Sequence, residues 1–190
     1  MFFLAMLGMR AFIAFEIPEE IRKKISEFQN ELKKKDFLVG NWVKEYHMTL
    51  KFLGEISDDE LAAVEEKLNE IAWDIKKFKL SLKGLSAFPS LNYVKVLWIR
   101  TDKGDKEAKK LQKYIDTDLG NLGFAKEKQY SNHLTICRVK AVKDKKELQK
   151  LFDNEINFGE FEVSEIKIIK STLTEEGPVY EVLKEFKLHI

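Results

Sequence analysis

A short pattern written twice constrains this 190-residue chain more than any other feature. The first copy is His47-Met48-Thr49-Leu50 and the second is His133-Leu134-Thr135-Ile136, 86 residues further on. In each copy a histidine and a threonine alternate with apolar residues, the period of a strand that buries one face. Each copy is followed by a helix start: Ser57 with Glu60 three residues later, and Asp144 with Glu147, both at capping-box spacing. The same strand-then-helix unit occurring twice predicts two similar lobes, each an α+β unit with helices on one sheet face, opposed across a cleft. The chain holds only three histidines and six threonines. Two of the three histidines fall into this pattern by chance with a probability on the order of 10⁻⁴.

The rest of the chain reads as helices and strands without a linker. Ile21, Ile25, Phe28 and Leu32 recur at helical spacing after Pro18, a good first-turn residue. Leu61, Val64, Leu68 and Ile71 mark a second helix. Ala108, Leu111, Ile115, Leu119 and Leu122 mark a third, closed by Gly123, and a fourth runs from about Asp144 to Phe152. β-Branched and aromatic residues predict strands at 10–17, 37–43, 47–53, 78–88, 94–101, 131–139, 162–172 and 179–188. The apolar start before Arg10 is far shorter than the roughly 20 residues of a membrane span. No basic region precedes it and no small-residue cleavage site follows. Residues 1–8 are therefore expected to be an N-terminal extension upstream of a start at Met9, with residues 9–190 forming a single bilobal domain.

Composition narrows the function classes. With 44% hydrophobic and 34% charged residues the chain is a folded protein, and a net charge of +1 argues against a protein that coats duplex nucleic acid. The lysine runs read as solvated helix faces. The single cysteine, Cys137, permits no internal disulfide and no cysteine-based zinc site, and a reducing, cytoplasmic setting fits. By alternation Cys137 is expected on the same strand side as His133 and Thr135. His189, next to the C-terminus, reads as a terminal polar residue.

The doubled motif carries chemistry. His47 and Thr49 share one strand face while Met48 and Leu50 point inward, and His133 and Thr135 do the same against Leu134 and Ile136. Two imidazoles then flank two hydroxyls. Cleaving a phosphodiester takes a base to activate the attacking oxygen and an acid to protonate the leaving one, and histidine serves in either role near neutral pH. The hydroxyls of Thr49 and Thr135 can donate to the non-bridging oxygens where charge builds. No metal and no cofactor is required. Two histidines without a carboxylate at ligand spacing make a poor zinc site, which counts against a metalloenzyme.

The sequence resembles the 2H phosphoesterases, and among them the RNA 2′,3′-cyclic phosphodiesterases, also called 2′-5′ RNA ligases. The resemblance rests on the two motifs and on Arg10-Ala11-Phe12-Ile13-Ala14, Trp42-Val43, Phe52-Leu53-Gly54, Phe88-Pro89, Val96-Leu97-Trp98, Gly123-Phe124, Arg138 and Gly177-Pro178-Val179-Tyr180 in that order. It implies an α+β bilobal fold of two pseudosymmetric antiparallel sheets with helices on the outer faces around a central cleft. It implies hydrolysis of a terminal RNA 2′,3′-cyclic phosphate to a 2′-phosphomonoester. His47 would act as proton donor to the departing 3′ oxygen and His133 as proton acceptor from water, although the spacing alone leaves the two roles interchangeable. With a 5′-hydroxyl attacking in place of water, the same chemistry would join it to the cyclic phosphate end in a reversible 2′-5′ ligation. The partners implied are RNA ends or nucleotides with a 2′,3′-cyclic phosphate, with no membrane and no obligate protein partner. Asn132 stands where the family usually has proline, and Glu45-Tyr46 replaces its usual Asn-Leu or Asn-Phe.

Two further residues follow from the resemblance. Arg138 would bind the phosphate or stack on the terminal base, and Phe88 would stack on that base. Strict alternation places Arg138 on the face opposite His133, so its part in the site needs a bulge. The competing class is a nucleotide- or RNA-binding module on the same fold with little catalysis, and turnover of 2′,3′-cyclic nucleotides separates the two.

Overall fold

The computed structural model describes residues 8–175 and 177–189. Among them are four helices and nine strands, and the strands form two antiparallel sheets. The first sheet has the order β3-β1-β8-β9, from β1 (Met9–Glu16), β3 (His47–Ile56), β8 (Glu165–Thr174) and β9 (Gly177–Lys187). The second has the order β2-β6-β5-β4-β7, from β2 (Leu38–Trp42), β4 (Phe78–Ser90), β5 (Tyr93–Thr101), β6 (His133–Val142) and β7 (Asn157–Val163). The α+β, two-sheet architecture agrees with the sequence expectation. Residues 1–7 of the expected extension lie outside the described residues.

The helices follow the apolar spacing, and two of the four also start on a side-chain cap. α1 (Glu19–Lys35) follows Pro18 and buries Ile21, Ile25 and Leu32. α2 (Asp58–Asp74) opens on the expected capping box, with Ser57 accepting from the Glu60 amide and the Glu60 carboxylate accepting from the Ser57 amide. α3 (Asp105–Asn121) buries Ala108, Leu111, Ile115 and Leu119 and gives way at Leu122, followed by Gly123 at φ 97°. α4 (Lys145–Asp153) is capped by Asp144, whose carboxylate accepts from the amides of Lys146 and Glu147. Glu147 does not complete a box, because its carboxylate pairs with Lys150. A single buried cluster runs from Ile13 and Phe15 through Leu68, Leu97 and Ile115 to Phe186, joining both sheets and all four helices.

One strand expectation fails. The segment 162–172 is not one strand but the end of β7 and most of β8, which break at Ser164 and belong to different sheets. β7 spaces its buried residues while β8 opens on a continuous buried run, but Ser164 and Glu165 between them bring no glycine or proline to mark the crossing.

Each motif strand carries a bulge just after its threonine. In β3, Thr49 pairs with Ala14 and Lys51 with Ile13, so Leu50 is the extra residue. In β6, Thr135 pairs with Trp98 and Cys137 with Leu97, so Ile136 is the extra residue. A bulge puts two successive side chains on the same side. Leu50 and Lys51 are both buried, as are Ile136 and Cys137, and Phe52 and Arg138 turn outward. This corrects the expectation for Cys137, which is fully buried in the core and not beside His133 and Thr135. β2 runs close over it: a Cβ on Gly40 would lie 2.5 Å from the Cys137 sulfur and 2.5 Å from the Arg138 carbonyl oxygen. Only glycine permits that approach.

Candidate active site

Met48 and Leu50, and likewise Leu134 and Ile136, are buried, which leaves His47, Thr49, His133 and Thr135 half-buried on the opposite strand faces. An open cavity of about 560 Å³ lies between the sheets. Thr49 and Phe52 line it from the first sheet, Phe88 and His133 from the second, and Glu127, Gln129, Tyr130 and Ser131 from the loop before β6.

The surroundings of the two histidines differ. The His47 ring lies 4.8 Å from the Phe12 ring and 4.8 Å, edge-on, from the Tyr180 ring. Phe12, Ala14 and Ile169, with Tyr180 against them, form a small apolar cluster separate from the main core. Burial holds the His47 imidazole down at about 4, with the Glu16 carboxylate opposing that shift and Arg22 adding to it. The His133 ring lies 5.1 Å from the Phe88 ring, edge to face, and 5.9 Å from the Trp98 ring. Phe88 and Trp98 stack at 4.8 Å, so Phe88 is fixed in a slot beside His133.

His133 has a defined tautomer. Its Nδ1 lies 2.8 Å from the Ser131 carbonyl oxygen. A carbonyl only accepts, so Nδ1 carries the hydrogen in the neutral ring and Nε2 keeps its lone pair. Burial lowers its pKa, the Ser131 carbonyl opposes that, and the charge of Arg138 lowers it further. Asn132, one residue earlier, donates to the main-chain oxygen and the carboxylate of Asp105 at 2.9 and 2.8 Å. Asn132 thus ties the start of β6 to the first turn of α3.

The Ile136 bulge resolves the objection to Arg138. It returns Arg138 to the face that carries His133 and Thr135, where its charge acts on His133 and on Tyr180. Sequence reasoning missed Phe52 and Tyr130, which line the cavity, and Phe12, Tyr180 and Trp98, which pack against the two histidine rings. Phe52 is 63% exposed, an unusual state for phenylalanine that the bulge explains. The signal for Phe12 and Tyr180 was their place in the family-like segments. Among the described residues no group of three or more His, Cys, Asp or Glu is placed to hold a metal ion.

The sequence model of the LigT-like phosphoesterases matches this chain twice, over residues 15–98 and 99–180. One match contains His47 and the other His133. The chain belongs to the LigT-like phosphoesterase family. An RNA 2′,3′-cyclic phosphodiesterase of Methanocaldococcus jannaschii is 42% identical over 180 residues, 94% of this chain and 100% of that protein. Another, from Aquifex aeolicus, is 35% identical over 185 residues, 94% of this chain and 97% of that protein. Among solved structures, a Thermus thermophilus protein superposes with a TM-score of 0.77 at 25% identity, over 95% of this chain and 98% of that one. This LigT-like phosphoesterase thus shares its fold as well as its doubled motif with the family. No helix among its described residues is long and apolar enough to cross a membrane.

Proposed function

We propose that this chain hydrolyses 2′,3′-cyclic phosphate ends of RNA to 2′-phosphomonoesters. The observation that carries the reading is a cavity lined from one sheet by Thr49 and from the other by His133, each on a His-x-Thr strand. The relatives named for this activity support it. His133 is the proton acceptor: its Nε2 lone pair faces away from the Ser131 bond and takes a proton from the attacking water. His47 is the proton donor to the leaving 3′ oxygen. Thr49 and Thr135 donate to the non-bridging oxygens, Arg138 neutralises the phosphate, and Phe88 stacks on the terminal base. No group outside the chain other than water enters the scheme, and with an RNA 5′-hydroxyl attacking in place of water, its proton taken by His133 and the 3′ oxygen leaving, the same steps give 2′-5′ ligation. Residues 9–190 act as one bilobal domain, supported by the continuous core. The buried, free thiol of Cys137 fits a reducing cytoplasm.

The acid role sets a condition. At pH 7 an imidazole with a pKa of about 4 is neutral. Protonating it there costs about 4 kcal/mol, at about 1.4 kcal/mol per pH unit. The cyclic phosphate carries one negative charge. At about 4 Å, with an effective dielectric near 20, that charge stabilises the imidazolium by about 4 kcal/mol. The two figures nearly cancel, so a seated phosphate brings His47 from almost wholly neutral to roughly half protonated at pH 7.

The test is product analysis. RNA ending in a 2′,3′-cyclic phosphate is expected to yield a 2′-phosphate end, in excess chelator as well. Binding of such RNA without turnover would place the chain with the binding modules instead. Thr49→Val and Thr135→Val are each expected to lower kcat/KM by about 10²-fold, since each removes one donor to a charged oxygen. Arg138→Ala is expected to raise KM and lower kcat, and Phe88→Ala to raise KM with kcat nearly kept. Wild-type kinetics in all four variants would remove these side chains from the site.

A further inference from the structure

The two motif strands are linked by a buried polar network centred on Gln29, only 2% exposed on α1. Its Nε2 donates to the carbonyl oxygen of Ile136 at 2.8 Å and to that of Val43 at 3.1 Å. Its Oε1 accepts from the Tyr46 hydroxyl at 2.6 Å. Both nearby carbonyls are acceptors, so only one orientation of the amide satisfies the set. Burial raises the Tyr46 phenol pKa, which keeps that hydroxyl a donor. Ile136 is the bulge residue that turns Arg138 to the cleft, and its carbonyl also accepts from the Val43 amide at 3.0 Å. Tyr46 is the residue before His47. One side chain therefore touches the entry to the first motif and the bulge of the second.

We propose that Gln29 is a positioning residue for the reaction: through Tyr46 it fixes His47, and through the Ile136 carbonyl it fixes the bulge that presents Arg138. The proposal rests on the phosphodiesterase reading. A strand without its bulge would slip by one residue, sending Arg138 inward and Cys137 into the cleft. An apolar side chain of the same size would fill the space under β6 with no amide to desolvate, so packing alone gives no reason for glutamine here. What the amide adds is a fixed geometry for three main-chain and side-chain groups beside the site. An error of about 1 Å in such placement costs up to about 10²-fold in rate.

The test separates placement from folding. Gln29→Met removes the 2.6 Å acceptor of the buried Tyr46 hydroxyl, leaving it only the Ser26 side chain nearby, and is expected to lower the Tm. Gln29→Met combined with Tyr46→Phe removes both ends of that bond, and such paired apolar replacement is close to neutral in stability. The Tm of the double variant is expected to return to near wild type. Its kcat on 2′,3′-cyclic AMP is expected to stay about 10- to 10²-fold low, and its Kd for inorganic phosphate to rise severalfold as Arg138 loses its placement. A double variant with wild-type Tm, kcat and phosphate affinity would overturn the proposal. If the double variant does not fold, Tyr46→Phe alone decides, and an unchanged kcat overturns it. A wild-type protein that binds phosphate but turns over no cyclic nucleotide would sink the phosphodiesterase reading, while the phosphate arm would still report on Gln29.

Discussion

His133→Ala is expected to lower kcat on 2′,3′-cyclic-phosphate RNA by about 10²–10⁴-fold, and His47→Ala by a similar factor, the usual worth of a positioned base or acid. Folding should survive both changes, because each ring is half-buried and outside the main core. Both imidazoles are shifted down from the ordinary histidine value, His47 to about 4, and burial is the main cause for each. The pH dependence follows with a definite sign. kcat/KM reports the free protein and needs His47 charged with His133 neutral. It should therefore peak below pH 6.5, falling on the alkaline side as His47 is left uncharged and on the acid side as His133 takes a proton. In the complex the phosphate charge raises both imidazoles, so the kcat profile should lie at higher pH. A kcat/KM profile that is flat between pH 5 and 8, or near-full turnover in either alanine variant, would defeat the two-histidine mechanism.

The motif, the two sheets and the helix caps were legible in the sequence because each rests on local rules. Alternation placed Met48, Leu50, Leu134 and Ile136 inside, and Ser57 with Glu60 marked a helix start. What alternation could not supply is the bulge, since an extra residue in a ladder is a property of two strands and only one is being read. The consequence is specific: the side chains just after Leu50 and Ile136 are assigned to the wrong face, until a second register shift at Leu53 and at Lys140 restores the alternation. Alternation alone sets Cys137 on the side of His133 and Arg138 on the opposite one, and the pairing of Leu97 and Trp98 with β6 reverses both. Phe52 was illegible for the same reason. Gln29 was hidden by distance, since its partner Ile136 lies 107 residues away. Tyr130 sits in a loop whose sequence has no period to read, yet its hydroxyl donates to the Thr49 carbonyl at 3.2 Å.

The bulges also make Lys51 and Cys137 counterparts, each following the extra residue and pointing into the core. Cysteine needs no partner there, whereas a fully buried lysine side chain does. Lys51 Nζ lies 2.5 Å from the Asp116 carboxylate and donates to the Ala125 carbonyl at 2.7 Å. The same carboxylate oxygen accepts from the Glu127 amide at 3.0 Å. The pair thus tethers the loop whose Glu127, Gln129, Tyr130 and Ser131 line the cavity. Asp116→Ala leaves the Lys51 charge without its counterion and is expected to destabilise the fold by about 3–5 kcal/mol, a large part of the roughly 5–15 kcal/mol that holds a domain together. Lys51→Met with Asp116→Leu removes both charges and should recover most of that loss, though the Glu127 amide then loses its acceptor. Burial works to raise the Asp116 pKa, but the hydrogen bonds from Lys51 and the Glu127 amide outweigh it and the pKa is lowered. This contribution is therefore present above the ordinary aspartate value near 4 and is lost as pH falls through the lowered folded value. Urea unfolding at pH 7 and at pH 3 measures both effects: the gap between wild type and Asp116→Asn should be wide at pH 7 and narrower at pH 3. An Asp116→Ala protein within 1 kcal/mol of wild type at pH 7 would mean that the lysine reaches water and that the loop is held by Tyr130 and packing alone.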